Sequence, residues 1–396
     1  MKILFLAHLF PLPLDSGGKI KSFYTLKALA AEHDVSFLSF IRGEDEGKHL
    51  KELHKICPNI KVINLHRSKS RFAKDALMSL CSDKSFIVYR DFREEMQSAF
   101  DDLVKSFAPD IVHIDHLQMA QFVSFEADYK TVLDEHNVEH LIIKRVSQTS
   151  SNHLMRNYAA IEWKKLKKYE LNVCSKASLV LTVSEEDKNT LLSEASNINA
   201  IEAVPIGVDT DFFKIVNRNT DSKTILSIAT MYWPPNVDSM LYFCQDIFPL
   251  IKKEIPDAKL NIAGQRPVKE ITNLASESII VSGYIDDSRE VSKDCAAFIV
   301  PLRSGSGVRV KILNAMAMGL PIVTTSIGVE GLNCENGKHL LIADTPKEFA
   351  SAVIDLFNNK EKSIQLGKNA RELVENEYSW DIIGKRLINV YSRYFK

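Results

Sequence analysis

Pro301-Leu302-Arg303-Ser304-Gly305-Ser306-Gly307-Val308-Arg309-Val310-Lys311-Ile312-Leu313-Asn314-Ala315-Met316-Ala317-Met318-Gly319-Leu320-Pro321 is the stretch whose reading decides the fold. The apolar run Ala297–Pro301 reads as a buried strand that stops at its proline, glycines open a loop, and helical apolar spacing then runs to Gly319. A new apolar strand follows at Ile322–Thr325, so the segment is a βαβ unit with a glycine-rich turn at the start of its helix. Amides of Ser304, Gly305, Ser306 and Gly307 at the positive end of that helix, with Arg309 and Lys311 close by, suit a diphosphate. Two residues apart, Arg309 and Lys311 share a helix face only if the first turn is still loop. The pattern alone therefore leaves open that one of the two merely faces solvent.

Outward from this segment the same alternation repeats. Strands are expected at Thr224–Ile228, Lys259–Ala263 and Ile279–Val281. An earlier series is expected at Ile3–Ala7, Val35–Phe40, Ile60–Leu65, Ile111–Ile114, Thr131–Leu133 and Leu179–Val183. Helical patterns cover about Lys19–Glu32, Asp91–Phe107 and Asn157–Ser175. Strand and helix alternating twice over predict an α/β chain of two tandem Rossmann-like domains. The polar stretch from Val216 to Lys223 is the candidate linker, although a solvated loop inside one domain has the same composition. Ile382, Ile383, Leu387, Val390 and Tyr391 after Tyr378-Ser379-Trp380 predict a terminal helix with no strand behind it.

Composition excludes several classes. The chain has 396 residues, with 50 Lys and Arg against 51 Asp and Glu, so it has no basic field to gather nucleic acid. Its six cysteines are scattered singly, which argues against a zinc site or a disulfide scaffold. Pro11 and Pro13 cut the apolar N-terminus well short of a membrane span, and the expectation is a cytoplasmic protein. One stretch from His66 to Leu80 mixes Arg67, Lys69, Arg71 and Lys74 with Phe72, Leu77, Met78 and Leu80. It suits peripheral contact with an anionic leaflet, or else a basic loop leading into a core-packed helix.

Three further groups are candidates for chemistry. Gly17 and Gly18, between the first strand and the first helix, let an anion approach free backbone amides, or simply form a tight turn. Asp134-Glu135-His136-Asn137-Val138-Glu139 follows a strand, where open α/β sheets bind ligands; carboxylates beside His136 suit proton transfer or hydrogen bonding. The alternative is a surface loop whose Asp caps the next helix. His113, Asp115 and His116 lack a third metal ligand at helical spacing and read as satisfied loop residues; Asp209 and Asp211 sit in a Pro/Gly turn and read as turn and cap residues.

Taken in order, these segments resemble the retaining glycosyltransferases of family 4. The resemblance rests on Gly17-Gly18, His136, Val183-Ser184-Glu185-Glu186-Asp187, Pro205-Ile206-Gly207-Val208-Asp209, Trp233-Pro234-Pro235-Asn236, Gly283-Tyr284-Ile285-Asp286, the 301–321 window and Tyr378-Ser379-Trp380. It implies a GT-B fold of two Rossmann-like domains facing a cleft: 1–205 for the acceptor, 206–378 for the nucleotide-sugar, and 379–396 as a helix crossing back. It implies that His136 faces the transferred sugar, that Gly17 and Gly18 approach the donor's phosphate or the acceptor, and that Tyr284 and Ile285 meet the base. Ser306, Gly307, Arg309 and Lys311 would meet the diphosphate, and Asn314 the ribose. The partners so implied are a nucleotide-sugar and a carbohydrate or glycolipid acceptor, with no metal and no other cofactor. The family commonly has glutamates where this chain has Ser306 and Asn314, and an amide accepts more weakly than a carboxylate. Asn314 points to one other reading, an inactive subunit serving a partner transferase; a third, a nucleotide-sugar epimerase, needs acid/base carboxylate pairs that the sequence does not show.

Overall fold

The computed structural model describes residues 1–66, 68–149, 152–195, 197–305 and 307–396. They form two compact units, Met1–Pro205 with Gly384–Lys396, and Ile206–Ile383.

Seven parallel strands make the sheet of the first unit: β1 (Lys2–Ala7), β2 (Asp34–Ile41), β3 (Asn59–Asn64), β4 (Ile111–Asp115), β5 (Lys130–Asp134), β6 (Leu179–Thr182) and β7 (Ile201–Ala203), in the order β3-β2-β1-β4-β5-β6-β7. Six more make the second: β8 (Thr224–Ile228), β9 (Lys259–Ala263), β10 (Ile279–Gly283), β11 (Cys295–Val300), β12 (Ile322–Thr324) and β13 (Leu341–Ile342), in the order β10-β9-β8-β11-β12-β13. Each is a Rossmann-like order that reverses direction once, beside β1 and β4 in the first unit and beside β8 and β11 in the second. Helices cover both faces of such sheets, so the strands read as unbroken apolar runs; Ile3 to Ala7 and Ala297 to Val300 are buried throughout.

The strands the sequence shows plainly are present with ends moved by a residue or two. β7 and β13, of three and two residues, are too short to register as a period. The helix expected over 91–107 begins three residues later, as Glu94–Phe107; a separate short helix, Phe86–Arg90, ends just before Asp91, a fully buried carboxylate that pairs with Arg90 and His8.

The linker expectation is corrected. Residues 216–223 lie inside the second unit, where the Val216 amide donates to Met318 O at 3.0 Å, Arg218 to Cys295 O at 2.9 Å and Ser222 Oγ to Asp294 O at 2.6 Å. The stretch is polar because it is hydrogen-bonded loop. The terminal helix, Trp380–Tyr394, buries Ile383, Leu387, Val390 and Tyr391, and the Tyr391 hydroxyl lies 2.6 Å from His113 Nδ1. No helix among the described residues is long and apolar enough to cross a membrane.

In the second unit Gly264, just after β9, has φ +143°, and a Cβ there would lie 1.6 Å from Ala229 O. Only glycine lets the turns after β8 and β9 pass this closely.

Candidate functional site

In the first unit the carboxyl ends of β4 and β5 hold Asp115 and Asp134, which face each other in register. Neither is where a parallel strand ordinarily puts a carboxylate, and both are buried and fully engaged. Asp115 Oδ2 accepts from Ser22 Oγ at 2.7 Å and from His116 Nδ1 at 2.9 Å, and Oδ1 accepts from His136 Nε2 at 3.0 Å. Asp134 is paired with Lys21, with His113 Nε2 at 3.7 Å and His136 Nε2 at 3.9 Å. The His116 and His136 rings lie against each other, centroids 3.7 Å apart.

These contacts set the charges. Burial alone would lift the Asp115 carboxyl, yet His136 and His116 hold it well below the usual range. Burial, with His116 alongside, pushes His136 down to about 4, so it is neutral at pH 7. His116 goes the other way: burial opposes its charge, but the Asp115 carboxylate outweighs burial and raises it. Of the two rings on one carboxylate, burial therefore prevails at His136 and the Asp115 carboxylate prevails at His116. Glu139, buried near Glu170, is pushed up to about 7.

His136 therefore belongs to a buried network, which removes the surface-loop alternative for residues 134–139. His113 is a strand residue, not a loop residue. Gly17 and Gly18 are the first residues of the helix Gly17–Glu32, and a Cβ on Gly18 would sit 3.4 Å from His116 Nε2. Spacing could not reveal Lys21 or Ser22. The available signal was two polar residues set between the core positions Phe23 and Leu26 of that helix and its glycine start.

In the second unit the glycine loop lies at the carboxyl end of β11, beside the strand-order reversal. Gly305 and Gly307 have φ of +140° and +76°, which bends the chain into the helix Val310–Ala317. Arg309 precedes that helix as its N-cap and is buried, its guanidinium donating to Gly307 O and to Ile327 O. Lys311, in the first turn, donates to Asn236 Oδ1 at 2.8 Å; desolvation and the Arg309 charge push it down to about 7. Neither cation is a bystander in solvent. Asn236 is held in turn by its Nδ2 donating to Thr230 O at 3.0 Å, so it bridges the loop after β8 to the 310–317 helix.

Asn314 is half-buried on that helix, one turn beyond Lys311. Tyr284, after Gly283 with φ +68°, is 70% exposed, and Ile285 packs against the core of the unit. Ser306 lies outside the described residues. Asp209 Oδ1 accepts from the amides of Asp211 and Phe212 at 3.1 and 2.8 Å, the turn expected of it.

One donor atom each from Asp115, His116 and His136 lies within 4.8 Å of the others, and the same holds for His113, Asp115 and Asp134. A cation there would have to displace ring protons from Asp115 and compete with the Lys21 ammonium on Asp134.

Residues 23–212 match the family model Glycosyltransferase Family 4, and residues 222–359 the model Glycosyl transferases group 1. A Klebsiella pneumoniae relative, "Uncharacterized 44.6 kDa protein in cps region", is 22% identical over 95% of this chain and 96% of its own length. The GDP-mannose-dependent alpha-(1-6)-phosphatidylinositol monomannoside mannosyltransferase of Mycobacterium tuberculosis is 22% identical over 53% of this chain and 60% of its own. Among solved structures, sucrose-phosphate synthase from Thermosynechococcus elongatus superposes with a TM-score of 0.72 at 15% identity, over 100% of this chain and 99% of that one. Anabaena HepE in complex with UDP-glucose superposes with a TM-score of 0.69 at 15% identity, over 99% of this chain and 100% of that one. With two Rossmann-like sheets, and with the two models matching its two halves in turn, the chain is a glycosyltransferase of the GT-B fold, of the group that these two models describe.

Proposed function

We propose that the protein transfers a sugar, with retention of configuration, from a nucleotide-diphosphate donor bound to the second unit onto a carbohydrate or lipid-linked acceptor. The observation that carries this reading is the loop after β11. Its glycines lead into a helix N-terminus beside Lys311, a partly desolvated ammonium fixed by Asn236, with Arg309 holding the loop in shape. Amides and cations so fixed stabilise a departing diphosphate without reorganising. HepE was solved with UDP-glucose and the mycobacterial relative is GDP-mannose-dependent, which supports a nucleotide-sugar donor. Here the helix-end amides and cations do the work of a metal, and we expect turnover to survive EDTA.

The test is calorimetry with UDP and GDP. Arg309→Ala and Lys311→Met should each weaken the better ligand by about 1.5–3 kcal/mol, roughly 10- to 150-fold. Lys311 loses its charge as pH rises through about 7, so affinity should fall from the acidic to the alkaline side of that value, and Lys311→Met should abolish that component. Isotherms unchanged in both variants would move the donor elsewhere. A second reading, a subunit without turnover, is favoured by the amide at Asn314; release of nucleoside diphosphate from a sugar nucleotide by the purified protein alone rejects it.

A lipid-linked acceptor is supported by an exposed apolar face. The expectation of a core-packed helix after His66 is corrected: on the helix Lys69–Leu80, Phe72, Leu77, Met78 and Leu80 are 54%, 66%, 44% and 45% exposed. That helix meets the helix His153–Lys176 through Ser79 Oγ and the Tyr158 hydroxyl at 2.8 Å, and there Leu154 and Met155 are exposed too. Lys74 and Arg71 flank the patch; Arg67 lies outside the described residues. Apolar groups beside cations suit an anionic leaflet. The protein should co-sediment with vesicles containing phosphatidylglycerol, and Leu77→Gln/Met78→Gln should lose most of that binding; sedimentation indifferent to lipid charge or to these residues rejects the contact.

A further inference from the structure

Tyr391, on the last helix of the chain, lies within the first unit, its hydroxyl 2.6 Å from Nδ1 of the strand residue His113, and both residues are fully buried. The His113 ring lies against Phe5, centroids 4.4 Å apart, and turns its Nε2 to Asp134 Oδ2 at 3.7 Å. That oxygen also has His136 Nε2 at 3.9 Å, while His136 Nε2 is closer to Asp115 Oδ1, at 3.0 Å. Asp134 Oδ1 is taken by Lys21. The two carboxylates thus meet over one N–H of His136, and what else Asp134 Oδ2 can accept decides which of them holds it. The place of the His113 proton follows from its neighbours. Burial pushes His113 down and the Tyr391 hydroxyl well up, so at pH 7 the ring is neutral, with one N–H, and the tyrosine keeps its proton. A proton on Nδ1 would leave the Tyr391 O–H with no acceptor among the described residues and turn a bare Nε2 lone pair on the Asp134 carboxylate. A proton on Nε2 removes both conflicts: the tyrosine donates to Nδ1, and Nε2–H faces the carboxylate.

We propose that Tyr391 is a positioning residue for the transfer: by donating to His113 Nδ1 it holds His113 Nε2–H on Asp134, which leaves the Nε2 proton of His136 to Asp115 and the Nδ1 of His136 bare. The proposal rests on the glycosyltransferase reading, in which His136 takes part in the transfer, and adds to it a residue 278 positions from His113. An Asp134 so satisfied does not draw the His136 ring away from Asp115. The Nδ1 left bare is buried and has no hydrogen-bond partner among the described residues. Packing does not account for the hydroxyl. Tyr391 shares the buried face of its helix with Ile383, Leu387 and Val390, a place that phenylalanine would fill as well.

Tyr391→Phe keeps the ring and removes the hydroxyl. In the full-length protein the ring-nitrogen NMR resonances of the histidines report which nitrogen carries each proton. Signals absent from His113→Phe/Tyr391→Phe are those of His113, and signals absent from His136→Ala are those of His136. The double variant replaces both partners of the buried bond by apolar rings and so leaves neither of them unpaired. In the wild type His113 and His136 should both be protonated on Nε2. Tyr391→Phe should move the His113 Nδ1 signal toward that of a nitrogen with no donor and displace the His136 Nε2 signal. It should lower kcat about three- to tenfold, the worth of one hydrogen bond, with KM held within about twofold. The double variant should lower kcat at least as far. A His113 proton on Nδ1 in the wild type overturns the proposal; so do His136 signals that Tyr391→Phe leaves in place, whatever becomes of stability, and so does a kcat that it leaves unchanged. The nitrogen shifts are read without substrate, so a protein that shows them yet releases nucleoside diphosphate from no sugar nucleotide keeps the placement of His136 by Tyr391 and rejects the transferase reading alone.

Discussion

His136→Ala is expected to lower turnover by about 10²- to 10⁴-fold, the range of a positioned group acting on a reacting proton or hydroxyl, while leaving nucleoside diphosphate affinity within about twofold by the same separation of roles. The split follows from where the groups sit. His136 lies at the carboxyl end of β5 in the first unit, and the glycine loop to which we assign the diphosphate lies at the end of β11 in the second. At pH 7 the His136 ring is neutral, burial having pushed it down to about 4, so the role we propose for it is that of a neutral ring and not of a cation. Turnover should therefore show no step from His136 between pH 5.5 and 8. The measurement is steady-state release of nucleoside diphosphate alongside calorimetry on the same preparations. If affinity falls as far as turnover, the substitution has damaged the Asp115 network and said nothing of chemistry.

What was legible in the sequence divides by distance along the chain. Gly17-Gly18 and the 301–321 window are local: a glycine turn and the helix it opens lie within a few residues, so pattern and resemblance both reach them. The strands were legible because parallel strands buried on both faces are unbroken apolar runs. The network around Asp115 was not. Ser22 lies 93 residues from Asp115, and Lys21 lies 113 from Asp134. The Lys311–Asn236 contact spans 75. Periodicity carries no information over such separations; sheet order brings these groups together, and it is β4 lying between β1 and β5 that makes neighbours of the first helix and the two acidic strand ends. The apolar face of the helix Lys69–Leu80 failed for a different reason. Its spacing is that of a buried helix, and spacing reports which residues share a face but not what covers it.

Lys21→Met should cost the first unit about 3–5 kcal/mol, because it strips the partner from a carboxylate that cannot reach water. Lys21 and Asp134 side chains are 3% and 1% exposed, and the nearest other acid is Asp115, which Asp134 faces in register. Methionine fills the same volume, so the loss is electrostatic and not a cavity. The direction with pH tests this. Burial would raise the Asp134 carboxyl, but Lys21, with His136 and His113, holds it below its ordinary value. A carboxylate held low stabilises the fold above its unfolded pKa of about 3.9 and ceases to as pH falls through its folded value. Without Lys21 the largest of these counterweights to burial is gone, Asp134 titrates upward, and at mildly acid pH it folds as the neutral acid. The deficit of Lys21→Met should therefore be largest at pH 7 and shrink toward pH 5, and Lys21→Met/Asp134→Asn should recover part of it at pH 7. Hydrogen exchange of the β1 and β5 amides confines the readout to the first unit. A deficit equal at pH 7 and pH 5, and unrelieved in the double variant, would mean that Lys21 contributes packing by its methylene stem and that the ion pair adds nothing.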